Sequence, residues 1–122
     1  MKPRHFQKAR GLRQELRSEL GDEGYDELLF ASGQPNRAVV RDVIGRSAAQ
    51  RAGLAPGDVI RRYDGELVFA PGDIQRATAT GTPGTLVAID FERDGRDERI
   101  YIPRGPIGVV LQPRRLEPAA TP

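Results

Sequence analysis

The stretch Gly45-Arg46-Ser47-Ala48-Ala49-Gln50-Arg51-Ala52-Gly53-Leu54-Ala55-Pro56-Gly57-Asp58-Val59-Ile60 decides the fold. Ser47 is placed to cap a single helical turn, Ala48 to Ala52, because its hydroxyl can accept from an N–H group that the first turn leaves free. Gly53 suits the left-handed position that ends such a turn, and Leu54 closes over it as a hydrophobic plug. Pro56-Gly57-Asp58 reads as a tight turn, in which proline fixes one dihedral and glycine supplies a positive one. Val59, Ile60 and Tyr63 then begin a strand.

Downstream, Asp64-Gly65 marks a two-residue hairpin leading into Leu67, Val68 and Phe69. Pro71-Gly72-Asp73 opens a helix over about 73–80 whose inner face carries Ile74, Ala77 and Thr78, and Gly81-Thr82-Pro83-Gly84 ends it. Leu86 to Phe91 is a largely apolar strand, Asp94-Gly95 a second hairpin turn, and Arg99 to Ile102 the returning strand. Pro103-Arg104-Gly105-Pro106 precedes a last short strand, Ile107 to Leu111. Beyond Gln112 the chain is Pro-rich, charged and small, which predicts a disordered tail over 113–122.

Upstream, Ala38 to Ile44 reads as a strand, preceded by the breaker Gly33-Gln34-Pro35-Asn36. Phe6, Ala9, Leu12, Leu16 and Leu20 recur at helical spacing and predict a helix over 4–20, stopped by Gly21. A second helix, about 22–32, has Asp22, Glu23, Asp26 and Glu27 in its first turns, where the helix dipole favours acids. The chain therefore divides into a helical extension over 1–36, a mixed domain over 37–112 and the tail. The expected architecture is α+β: a partly open barrel or sandwich of five to six short strands capped by two helices.

At 122 residues, 38% hydrophobic and 30% charged, there is material for one modest core. Net charge is only +2, from 19 basic and 17 acidic side chains, so a nucleic-acid partner is not expected. The basic excess gathers in Lys2, Arg4, Lys8, Arg10, Arg13 and Arg17, a solvated helix face before it is a lipid-binding one. With no cysteine, disulfides and thiolate metal sites are excluded. His5 is the lone histidine, in a charged helix start, and nothing places a serine beside it. The acidic pairs Asp22-Glu23, Asp26-Glu27 and Asp97-Glu98 sit on polar stretches. Lys2 and Lys8, the only lysines, follow no Gly-rich phosphate loop. No catalytic residue, cofactor or metal is therefore expected.

Ser47 to Ile60 closely resembles the "SPAxxAGLxxGDxI" signature of bacterial PDZ domains, found in high-temperature-requirement serine proteases, tail-specific proteases, intramembrane metalloproteases and type II secretion proteins. Asp64-Gly65-Glu66-Leu67-Val68 resembles their "xNGxxV" hairpin, and Arg93-Asp94-Gly95 their "RDG" turn. The resemblance covers about two thirds of the chain. It implies an extended peptide, often a free C-terminus, bound as an extra strand at a sheet edge. Its carboxylate would meet the N–H groups of an apolar-Gly-apolar loop that usually follows a basic residue and a glycine. The matching segment is Arg104-Gly105-Pro106-Ile107-Gly108-Val109.

The resemblance places that loop last in the chain, as though the domain were circularly permuted. The groove would lie between the strand Ile107 to Leu111, Val110 included, and the helix 73–80. A pocket of Ile107, Val109, Ile74 and Ala77 would take an apolar terminal side chain, with Thr78 on the same helix face. Gly108→Trp is expected to fill the carboxylate site and leave the fold intact. Ile107, Val109 and Leu111 also read as plain core residues closing a barrel whose groove is blocked. The implied protein is a non-catalytic peptide-binding adaptor or scaffold module. Alternatives are a regulatory fragment of a larger protease, or a scaffold dimerising through its leading helices. The resemblance favours the periplasm or cell envelope, with membrane association only through a segment outside this chain.

Overall fold

The computed structural model describes the backbone of residues 2–118 and the side chains from residue 15 onward. It divides into two compact units, one reaching to Gln34 and joined by residues from Glu117, the other Pro35–Leu116.

The leading unit is one helical stretch, α1 (Lys2–Ala31), interrupted at Gly21, whose φ of 72° and ψ of 174° are not helical. The break falls at the glycine stop expected from the sequence. Arg17 and Asp22 meet across it at 3.9 Å. The far end closes on itself: Ser32 N–H donates to Leu28 O (2.9 Å), Gly33 N–H to Phe30 O (3.1 Å) and Gln34 N–H to Leu29 O (2.9 Å). These bonds satisfy carbonyls that a helix end otherwise leaves open. Of the expected helix stripe, the side chains of Phe6, Ala9 and Leu12, like that of His5, lie outside the described residues.

The second unit holds six strands and two helices: β1 (Arg37–Val43), α2 (Ala48–Ala52), β2 (Val59–Tyr63), β3 (Glu66–Leu67), α3 (Pro71–Thr78), β4 (Leu86–Arg93), β5 (Arg96–Pro103) and β6 (Val109–Arg114). The strands form one antiparallel sheet in the order β5-β4-β2-β1-β6, with β3 added to β2. Both hairpins turn on Asp-Gly pairs with positive φ at each residue, 52° and 83° at Asp64-Gly65 and 53° and 76° at Asp94-Gly95. That is the turn whose twist matches a right-handed strand pair.

The apolar alternation of β4 explains which face is core. Val87, Ile89 and Phe91 are buried while Leu86 stands 70% exposed. They meet Ile60, Tyr63, Val68, Ile74, Ile102 and Ile107 in one cluster. β6 continues past Gln112, and its Pro113 and Arg114 pair with Ala38 and Arg37. Pro113 is tolerated because β6 is an edge strand. The wholly buried Asn36 clamps the chain further on. Its amide donates to Leu116 O (2.7 Å), and its carbonyl accepts from Leu116 N–H (2.8 Å). The segment expected to be disordered is thus ordered through Leu116, because a side-chain amide imitates one more strand pairing; residues 119–122 lie outside the described residues.

Candidate peptide-binding groove

The signature stretch folds as its residues dictate. Ser47 Oγ accepts from Gln50 N–H at 3.1 Å, and Gly53, with φ of 96°, ends α2 by donating to Ala49 O at 3.0 Å. The following turn is pinned to β1 in both directions, Gly57 N–H to Val40 O and Val40 N–H to Asp58 O, each 2.8 Å. Asp58, only 2% exposed, accepts from Ala55 N–H (2.8 Å) and from both Nε and a terminal nitrogen of Arg93 (2.8 and 2.7 Å). Arg93 also donates to Gly53 O (2.8 Å) and lies over the Phe91 ring at 5.2 Å. The aspartate of one motif and the arginine of another thus form one internal tie between the α2 loop and the β4–β5 hairpin.

The loop after β5 begins with Arg104, whose backbone extends the ladder: its N–H donates to Thr85 O (2.7 Å) and its carbonyl accepts from Gly84 N–H (3.0 Å). Its side chain, 9% exposed, turns inward. The guanidinium pairs with Asp64, donates to Ala77 O at 2.7 Å and covers the Tyr63 ring at 5.6 Å. Sequence reasoning assigned Arg104 to the ligand. The structure joins it to the β2–β3 turn and the last turn of α3.

Beyond Arg104 the carbonyls of Ile107 and Gly108 accept from Ala49 N–H (2.8 Å) and Ile44 N–H (2.9 Å). This seats the loop on the start of α2 and the end of β1. The N–H groups of Gly105, Ile107 and Gly108 donate to nothing among the described residues. Gly108 has φ of 84°, and a Cβ built on it would lie 2.2 Å from Ser47 Cβ. The reason for glycine here is therefore the packing of Ser47, besides any ligand. The expectation that Gly108→Trp leaves the fold intact is corrected: any side chain would drive the loop off α2.

β6 ends the sheet order, so one of its edges faces β1 and the other is unpaired. Since Gly108 O bonds toward β1, strand alternation turns the N–H and C=O of Val109 to the open edge. α3 packs against β6. Val109 and Leu111 from the strand and Ala77 from the helix are partly buried against the same cluster as Ile74 and Ile107. Ile74 (4% exposed) and Ile107 (5%) are core residues, which leaves Val109, Leu111 and Ala77 as the partly buried apolar side chains between strand and helix. Thr78 donates its hydroxyl to Gln75 O of its own helix at 3.0 Å, and Val110 pairs with Asp42. A concavity of about 460 Å³ on the opposite flank, over β2, β4 and β5, is lined by the Arg99–Asp90 and Arg61–Glu92 pairs. Asp97 and Glu98 also line it, and it is remote from β6 in the sheet order.

The model of the PDZ domain family matches residues 10–103 of this chain. The chain belongs to the PDZ domain family. Its PDZ unit is similar to segments of curated bacterial proteins. It is 32% identical over 63 residues to a probable periplasmic serine protease do/HhoA-like of Haemophilus influenzae, covering 52% of this chain and 14% of that protein. It is 35% identical over 65 residues to a probable periplasmic serine endoprotease DegP-like of Chlamydia trachomatis, covering 53% and 13%. The chain thus spans only about a seventh of the relatives it matches. Among solved structures, the PDZ domain of the SdrC-like protein of Listeria monocytogenes superposes with a TM-score of 0.53 at 21% identity, covering 62% of this chain and 87% of that one. This likeness shows the fold.

Proposed function

We propose that the PDZ unit is a non-catalytic module that binds an extended peptide or a protein C-terminus as an added strand along β6, between β6 and α3. One observation carries this reading: free N–H donors at Gly105, Ile107 and Gly108 stand at the head of an edge strand whose other side is open. An unpaired strand edge is a template for another chain. Val109, Leu111 and Ala77 offer an aliphatic floor, which suits an apolar ligand side chain. The order β5-β4-β2-β1-β6, with the loop between β5 and β6 last in the chain, supports a permuted domain. The similarity to probable periplasmic serine proteases supports a periplasmic setting, and with it a role as the sensing part of a larger envelope protease or as a separate adaptor.

The test is a titration with a library of C-terminal peptides, following backbone amide resonances. Shifts should concentrate on Gly105 to Leu111 and on the face of α3 that carries Ile74 and Ala77. Saturating peptide that leaves β6 unmoved would sink the proposal.

A further inference from the structure

Resting on that reading, we infer that Arg46, with Arg51 beside it, selects an acidic side chain at the ligand residue just before the C-terminal one. Ile44 to Ser47 form a tight turn at the head of β6, closed by Ser47 N–H donating to Ile44 O at 3.3 Å. Both ends of the turn touch Gly108: Ile44 N–H donates to Gly108 O (2.9 Å), and Ser47 Cβ fills the space that a Gly108 Cβ would need. Arg46 is the third residue of this turn and has φ of 63°. Glycine or asparagine takes such a position with least strain. Arginine there costs free energy, and strained residues of this kind gather where a side chain is used.

The backbone of Arg46 is held on both sides. Its N–H donates to Gln50 Oε1 (2.7 Å), and its carbonyl accepts from a terminal nitrogen of Arg51 (2.9 Å). Both side chains are exposed, and among the described residues neither guanidinium has a carboxylate partner. By contrast, Arg41, Arg61, Arg76, Arg93, Arg99 and Arg104 are each paired with an acid. A strand added to β6 that lays its last side chain on Val109, Leu111 and Ala77 turns the preceding one to the opposite face. That face carries Val110 and its cross-strand partner Asp42. Ile44 joins them, 55% exposed, since its neighbour Val43 packs on the core. Asp42 is already paired with Arg41 at 3.3 Å, so the uncompensated charge beside this face is positive. A ligand glutamate here would rest its methylene groups on Ile44 and bring its carboxylate to the two guanidinium groups.

The experiment takes a heptapeptide from the library titration, ending in an aliphatic residue, with glutamate, glutamine or lysine just before it. Calorimetry and amide-shift titration compare the three. The glutamate form should bind at least about twofold tighter than the glutamine form at low salt, the scale of an exposed ion pair, and the lysine form weaker than both. The gap between glutamate and glutamine should close as added salt screens the charges. A glutamate preference below about twofold at low salt overturns this inference and leaves the proposed function standing. Failure of all three peptides to shift β6 overturns both. Arg46→Gly suits the positive φ and keeps the turn, and it should bring glutamate and glutamine to parity. Arg96→Gln removes one charge from the β4–β5 hairpin, remote from β6 in the sheet order, and should leave the preference as it was. A loss of preference as large in Arg96→Gln as in Arg46→Gly would show that net charge is responsible and that Arg46 does not read the ligand.

Discussion

The loop that carries Asp58 and the loop that carries Arg104 are fastened by the same chemistry toward different ends. In the first, the acid is buried and the arginine reaches in from a hairpin: Asp58 is 2% exposed at its side chain and Arg93 is 36% exposed. In the second the roles reverse, with Arg104 at 9% and Asp64 at 54%. A buried acid that also accepts a backbone N–H holds a turn in shape, and everything around it is framework. A buried arginine fed by an exposed acid can be released by a change at the surface. The difference separates a tie locked inside the fold from one whose acid stands at the surface.

The sharpest way to break that distinction is to remove each acid. Asp58→Ala should destabilise the domain by about 3 kcal/mol, because Ala55 N–H loses its acceptor and a buried pair loses one member. Urea denaturation measures it, and a loss no larger than that of Asp64→Asn would erase the contrast.

Gly108→Ala belongs to the second loop but should act on the fold, costing about 2 kcal/mol or more from overpacking and positive φ. Its partner is Ser47. Ser47→Gly removes the atom in the way and weakens the N-cap by only a few tenths of a kcal/mol, roughly. The double variant should therefore be more stable than Gly108→Ala alone, a sign reversal that a double-mutant cycle would reveal. Simple additivity would mean that the close approach is not the cause.

How much of this was legible depended on whether the signal was local. The α2 cap, its glycine stop, both Asp-Gly turns and the strand alternation of β4 are decided by neighbours in sequence, and they stand where the residues put them. The role of Arg104 depends on Asp64, 40 positions away, and on the carbonyl of Ala77, 27 away. No spacing rule connects them. Gly108 was singled out for the right property, a missing Cβ, and credited to the ligand when Ser47 also requires it. The end of β6 was missed because Pro113 argues against a strand unless the strand is known to be an edge, and because the clamp to Asn36 spans 80 residues.

Arg104→Met should cost about 2 kcal/mol, since it removes a nearly buried guanidinium from Ala77 O, Asp64 and the Tyr63 ring together. Asp64→Asn should cost less than half of that, because the acid is half exposed and water replaces its partner. Equal losses would mean that Arg104 and Asp64 act as a unit in spite of the exposure of the acid.

The smallest effect should come from a third pair, Asp90 with Arg99 on the outer face of β4 and β5, at 2.6 Å and with Arg99 57% exposed. The hydrogen bond from Arg99 holds the Asp90 carboxyl below its ordinary value against a weaker opposing effect of burial. A lowered folded value means that the carboxylate stabilises the domain at neutral pH. The contribution persists above the unfolded carboxylate value of about 3.9 and fades as pH falls through the lower folded one. Asp90→Asn should therefore cost less than about 1 kcal/mol at pH 7, and the gap from the parent should close in acid. Urea midpoints of the two proteins between pH 7 and 3 measure this. A gap that widens in acid would show that surface exposure is the wrong scale for ranking the three arginine–aspartate pairs.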